Sequence, residues 1–181
     1  MANACPYAAL KKIEAATTAN QHAAMTTAAL NEQCWDSNRD HYTYLYSSEQ
    51  SPDTTLSVGA IFPLILEGTP KDRIASVMER YVTDAKHFWR PFPVPSVAAS
   101  ESSYDAESEA MIWRGPICMN LNWLLARGFK SPGYTEEAKT ISERSKEAAF
   151  KDFRESYSPE TGRGMRGTRF GWATAAVAID A

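Results

Sequence analysis

The run from Trp113 to Arg127, Trp-Arg-Gly-Pro-Ile-Cys-Met-Asn-Leu-Asn-Trp-Leu-Leu-Ala-Arg, sets a polar, aromatic loop directly in front of an apolar helical stretch. That order narrows what the chain can become. Asn120, Asn122 and Trp123 are costly to bury unless their polar atoms find partners, so the helix that carries them must meet a loop or a cavity with its polar groups. Gly115 permits close backbone approach, and Pro116 suits a first helical turn. The spacing predicts a helix over 117–129.

Helices dominate the remaining pattern. From Pro6 to Gln33 the chain is rich in Ala, has no Gly or internal Pro, and carries Leu10, Ile13, Met25 and Leu30, which predicts one long helix. Trp35 to Tyr46 alternates polar and aromatic residues and reads as a short hairpin or extended segment. Leu56 to Leu66 is apolar on nearly every side, as an inner helix would be, with Pro63 expected to kink it or shift its start. Thr69-Pro70 opens an amphipathic helix through about Tyr81. The connection from Thr83 to Pro116 is too long to be an ordinary loop. Its part 88–95 is expected to be ordered and 98–109 mobile. A helix pair over 117–129 and 135–150 surrounds Ser131-Pro132-Gly133, with Thr135 as the expected cap, and Gly171 to Ile179 predicts a short closing helix. The fold class expected is all-α, with about six helices, long aromatic loops and a short β-hairpin.

Length and charge restrict the partners. At 181 residues the chain is near the usual size of one domain, which buries roughly 70% of the surface of its unfolded chain, so a single domain over 1–181 needs no metal or disulfide staple. The net charge of −3 with interspersed signs offers no basic stripe for phosphates, which argues against nucleic acid. The longest apolar runs fall well short of the ~20 residues that span a bilayer, and no charged segment followed by an apolar core opens the chain. A soluble protein is expected, cytoplasmic rather than secreted. Cys5, Cys34 and Cys118 are scattered and odd in number, which reads as free thiols rather than a disulfide framework. His22, His41 and His87 are isolated from ligand-spaced Cys or acids, so neither a metal nor a cofactor is expected.

Five ordered segments carry a family resemblance. They are Leu-Asn-Glu-Gln-Cys-Trp-Asp at 30–36, Phe-Trp-Arg-Pro-Phe-Pro-Val-Pro-Ser at 88–96, Trp-Arg-Gly-Pro with Asn-Leu-Asn-Trp-Leu-Leu at 113–125, Phe-Arg-Glu-Ser-Tyr-Ser-Pro-Glu-Thr-Gly at 153–162, and Phe-Gly-Trp-Ala-Thr-Ala-Ala at 170–176. Together they resemble the catalytic domain of glycoside hydrolase family 63 and its relatives that cleave glucosyl- or mannosylglycerate. The resemblance implies a partial (α/α)6 toroid of helical hairpins, in which residues 1–181 correspond to the second half.

It also implies a site. Sugar cleavage with inversion needs one carboxyl group to protonate the leaving oxygen and another to activate water. Glu155 stands where the family has its general base. On residue type alone it reads as a surface glutamate paired with Arg154 or Lys151, and the motif context is what makes it a site residue. The family's general acid lies in a segment that has no counterpart here, and none of Asp36, Asp40, Asp53, Asp105 or Glu107 sits in a motif that replaces it. Asp36 reads instead as capping the first helix or starting a turn. Trp89, Trp113, Trp123 and Trp172 supply flat faces for a ligand, while Arg114 and Asn122 supply hydrogen bonds to hydroxyls. Cys118 replaces a larger aromatic residue, and its place near a helix start could lower its pKa. Gly162, Gly164 and Gly167 with Arg163, Arg166 and Arg169 have the look of an anion loop but lack a phosphate-loop lysine.

Three readings follow. The chain is one piece of an inverting glycosidase completed by a complementary half-domain or a second copy. Alternatively, it is a relative turned to cyclisation or isomerisation of a small molecule in a remnant aromatic pocket, or a non-catalytic carbohydrate-binding protein. Half a toroid would leave inner helices uncovered, so a homodimer through Leu56 to Leu66 or through the first helix is expected.

Overall fold

The computed structural model describes residues 6–46 and 51–180, and Cys5 lies outside them. The Ala-rich segment forms helix α1, Pro6–Gln33, as its lack of internal breakers requires. It ends where Asp36 takes the backbone N–H groups of Asn38 and Arg39 on Oδ1. Asp36 therefore starts a turn, which closes the strand pair β1 (Trp35–Asp36) and β2 (His41–Tyr42). A second antiparallel pair joins β3 (Tyr44–Tyr46) to β4 (Ser51–Asp53). The expected single hairpin is thus two short ones in succession.

Leu56 to Leu66 departs from the helical expectation. It folds as two 3-10 turns, Val58–Ala60 and Phe62–Ile65. Ser57 Oγ accepts from the Gly59 N–H and starts the first, while Pro63, which has no N–H to give, sits at the beginning of the second. Leu56, Ile61 and Leu64 are buried inside the chain's own core, which leaves Phe62, Ile65 and Leu66 as the partly exposed apolar residues of this segment. Helix α2, Lys71–Val77, continues into a π-helical turn, Met78–Val82. Thr83 ends it by donating both its N–H and its Oγ1 hydroxyl to Met78 O.

The long connection is ordered throughout by loop contacts. Phe92 to Ala98 is buried. The 98–109 part, expected to be mobile, is instead a series of hydrogen-bonded turns, pinned by the Tyr104 hydroxyl on Glu160. A 3-10 turn, Ile112–Arg114, then leads to helix α3, Met119–Gly128. Pro116 precedes that helix rather than opening it, because Ile117 is taken into a bridge with Tyr157. Helix α4, Thr135–Ala149, begins with Glu136 and Glu137 in its first turn, where they complement the helix dipole. Thr135 is its first helical residue and makes no capping bond; Tyr134 holds the cap position. Strands β5 (Arg154–Tyr157) and β6 (Gly164–Thr168) form a third hairpin, and a 3-10 helix, Gly171–Ala178, closes the described chain.

Helix packing holds this together. One cluster joins Ile61 and Leu64 to Val77, Phe88, Leu125, Phe129 and Ile141; a second joins Phe92, Ile117 and Met119 to Tyr157 and Ala173. Each fully buried Leu, Ile or Phe contributes about 1.5–3 kcal/mol relative to exposure. Strand pairs of two to five residues offer far less, so the architecture is a mostly helical body with small hairpins attached.

Candidate active site

Glu155 lies on β5 where the ladder is irregular, between the paired positions Arg154 and Ser156. The irregularity lets its side chain turn out of the strand pair. The carboxylate is mostly covered, with 21% of the side chain exposed, and its Oε2 lies 3.4 Å from both Arg166 Nε and the Gly167 N–H. Neither of the partners expected for a surface glutamate is engaged. Arg154 pairs with Asp152 and Lys151 with Glu147. Among the described residues, no hydrogen bond falls on Oε1 of Glu155, which leaves that oxygen able to accept from water.

The start of α3 meets this strand. Ile117 and Tyr157 exchange backbone hydrogen bonds, Ile117 N–H to Tyr157 O at 2.8 Å and Tyr157 N–H to Ile117 O at 3.1 Å. Cys118 follows at the N-cap of α3 and is 2% exposed. Its thiol pKa is pushed up to about 11, by burial first and by the charge of Glu155 second, so the lowered value expected of a helix start is corrected. Asn120 stands in the first turn with its Oδ1 buried and unpartnered among the described residues. The sequence marks Asn120 only as a polar residue that must meet a loop or a cavity, and Arg166 only as part of an anion-like loop.

Two further groups border the hairpin. Phe170 and the Glu155 carboxylate flank Gly167, and the Trp172 ring meets Phe170 edge-on with centroids 5.6 Å apart. Glu107 pairs with Arg163, and Glu109 O accepts from Arg166, which ties the approach to Trp113 and Arg114 onto β6. Gly115, at φ 147°, then packs its backbone against Asp105 and Tyr104, an approach that a Cβ would obstruct. Trp113 and Trp172 are 56% and 51% exposed. Trp172 is thus linked to the hairpin through Phe170, while Glu107 and Glu109 join it to the segment that precedes Trp113 and Arg114.

The other sequence candidates lie elsewhere. Asn122 is buried and spends its amide on the protein: its Nδ2 donates to Pro93 O and Ser145 Oγ, and its Oδ1 accepts from the Val94 N–H. It braces the 88–96 loop and does not present its amide to a ligand. Trp123 donates Nε1 to Ala178 O and lies under the Arg127 guanidinium at 5.1 Å. Trp89 lines a cleft of about 470 Å³ with Pro91, Pro93, Thr140 and Arg144, away from Glu155. A smaller cleft, about 270 Å³, lies beside the site between Phe153, Arg169, Phe170 and Thr174. His87 contacts Ser100 Oγ at 2.7 Å and its pKa is lowered chiefly by burial; nothing links it to the hairpin.

Three arginines of the supposed anion loop have separate roles. Arg163 answers Glu107 and Glu109, Arg166 answers Glu155, and Arg169 borders the smaller cleft. Nearby, Glu160 forms two hydrogen bonds with Arg90, at 2.8 and 2.9 Å, and accepts the Tyr104 hydroxyl at 2.6 Å. Arg90 holds the Glu160 carboxyl below its usual pKa, so this second carboxylate is fixed and occupied. Among the described residues, no helix is long and apolar enough to cross a membrane.

Comparison with known proteins matches these features to a family. The model of the mannosylglycerate hydrolase MGH1-like glycoside hydrolase domain fits residues 7–173. A mannosylglycerate hydrolase of Thermus thermophilus is 28% identical over 149 residues, 80% of this chain and 34% of that one. That of Rubrobacter radiotolerans is 26% identical over 86% of this chain and 35% of its own length. Among solved structures, a family 63 mannosylglycerate hydrolase from a second strain of Thermus thermophilus, in complex with glucose, superposes with a TM-score of 0.70 at 27% identity, covering 82% of this chain and 34% of that one. The helices described above are thus part of an (α/α)6 toroid, and the chain spans about a third of the length of these relatives. The chain belongs to the mannosylglycerate hydrolase MGH1-like glycoside hydrolase domain family.

Proposed function

We propose that this chain carries the water-activating side of an inverting glycosidase site, with Glu155 as the general base, and that residues 1–181 act as one unit equivalent to the second half of the toroid. The observation that carries the reading is the Glu155 carboxylate itself. It is mostly covered, it is held on one oxygen by Arg166 and Gly167, and its other oxygen is uncommitted. A base that must align one water benefits from that asymmetry, because the held oxygen fixes the direction of the other. Trp113 and Trp172 offer stacking faces to the sugar and Arg114 a donor for its hydroxyls, while Asn122 positions the 88–96 loop from behind.

The substrate class follows from the relatives, which are named for mannosylglycerate. The acid that protonates the leaving oxygen belongs, in this proposal, to the part of the family domain that this chain does not span. In an inverting enzyme it stands about 6.5–9.5 Å from the base, leaving space for water. Hydrolysis therefore needs that part of the domain. Mixing this chain with the first part of a relative's domain and following release of mannose from mannosylglycerate tests the assignment. Glu155→Gln should cost about 10²–10⁴-fold in kcat. A complemented site whose rate ignores that change would remove Glu155 from the mechanism.

A further inference from the structure

Between the 88–96 loop and helix α4 lies the cleft of about 470 Å³ that Trp89 lines, within the ~300–1,000 Å³ typical of small-molecule sites. Its loop wall is fixed at several points. Asn122 donates to Pro93 O and accepts from the Val94 N–H, the Phe92 N–H donates to Pro159 O, and Arg90 donates to both Glu160 oxygens and to Ala85 O. The other wall is Thr140 and Arg144 of α4. Arg144 is anchored too, by a 2.7 Å ion pair with Glu147 and by its place over the Phe92 ring at 5.8 Å. Walls that are set before a ligand arrives lose little freedom when it binds.

The lining says what fits between them. Trp89 is partly buried, and its Nε1 makes no hydrogen bond among the described residues. Nε and Nη2 of Arg144 are likewise uncommitted there, so donors remain. Thr140 gives its hydroxyl proton to Glu136 O and keeps an oxygen that accepts. An anion gains little, because both arginines of the cleft are already answered, Arg90 by Glu160 and Arg144 by Glu147. A wholly apolar ligand would strip water from the indole N–H and the guanidinium and return no bond. A ring with an apolar face and hydroxyls at its edge satisfies both demands: the face packs on the indole and the prolines, and neighbouring hydroxyls meet the Arg144 fork. We propose that this cleft is a second binding site, for a neutral pyranose, carried by Trp89 and Arg144. The inference goes beyond the Glu155 reading and does not rest on it, since its readout is binding at Trp89 rather than turnover.

Fluorine NMR of the whole chain labelled with fluorotryptophan, titrated with methyl α-mannopyranoside, tests the site. The Trp89 signal, assigned by its loss in Trp89→Phe, should move and saturate. Arg144→Ala removes the guanidinium donors and should weaken the binding about tenfold, while Ala remains a good helix former, so circular dichroism should stay unchanged. Arg144→Lys keeps the charge without the fork and should not restore it. A Trp89 signal that stays still up to the solubility of the glycoside would overturn the proposal, as would a movement that survives Arg144→Ala. Tighter binding of the uronate of the same ring would show that the cleft selects charge, and would overturn the assignment to a neutral ligand. A hydrolysis rate indifferent to Glu155→Gln would end the general-base reading and leave this one standing.

Discussion

Cys118 is held as a neutral thiol beside a carboxylate, and this has a consequence in alkali. Its pKa rises from 9.0 to about 11 on folding, so between those values the folded chain binds the proton that the unfolded chain has lost. The contribution to stability is intact below pH 9 and is lost as pH climbs to 11, by about 2–3 kcal/mol at most. Chemical denaturation at about pH 8 and about pH 11 should show this loss in the native chain and a smaller one in Cys118→Ala. Equal losses would mean the thiol is not protected. The sequence made Cys118 conspicuous as a small residue at a helix start, but its titration depends on burial and on Glu155, which come from other elements. The same holds for Arg166: its sequence neighbours include glycines, and only the fold of the hairpin turns it to Glu155 rather than to an anion.

Elements explain which candidates serve the site and which serve the frame. The helix signal of α3 was plain in sequence to within two residues, yet the role of Asn122 was not. An amide spaced two residues from Asn120 suggests a ligand contact, whereas in the fold it faces the 88–96 loop and Ser145 of α4. Asn122→Leu would leave Pro93 O, the Val94 N–H and Ser145 Oγ without their partner, at a cost of about 2–4 kcal/mol in urea denaturation. A loss under about 1 kcal/mol, the worth of a single ordinary hydrogen bond, would show that the loop does not depend on this brace. The β5–β6 hairpin, which carries Glu155, was not legible at all. Its strands are short and rich in Arg and Gly, so neither alternation nor β-propensity marks them, and β5 also bridges to Ile117 from a distant segment.

For the whole molecule, ordered motifs outperformed periodicity. Five segments sufficed to identify the toroid family, while hydrophobic pattern alone made Leu56 to Leu66 a helix, because burial on every side looks alike in a 3-10 turn and an inner helix. The aromatic residues were a partial guide. Trp172 neighbours the Glu155 hairpin through Phe170 and Trp113 is exposed, but Trp89 and Trp123 were claimed by packing, where large rings are most valuable to a body of this size.

The reciprocal bonds between Ile117 and Tyr157 join the Glu155 strand to the lead into α3, and both residues are at most 1% exposed. Neither amide can meet solvent unless the other carbonyl is released too. In native-state hydrogen exchange the two should therefore share one opening free energy and respond alike to added denaturant, making the strand and the helix start a single cooperative unit. Separate opening energies would divide it. If they open together, the strand that carries Glu155 stays joined to the start of α3 through every fluctuation smaller than that unit.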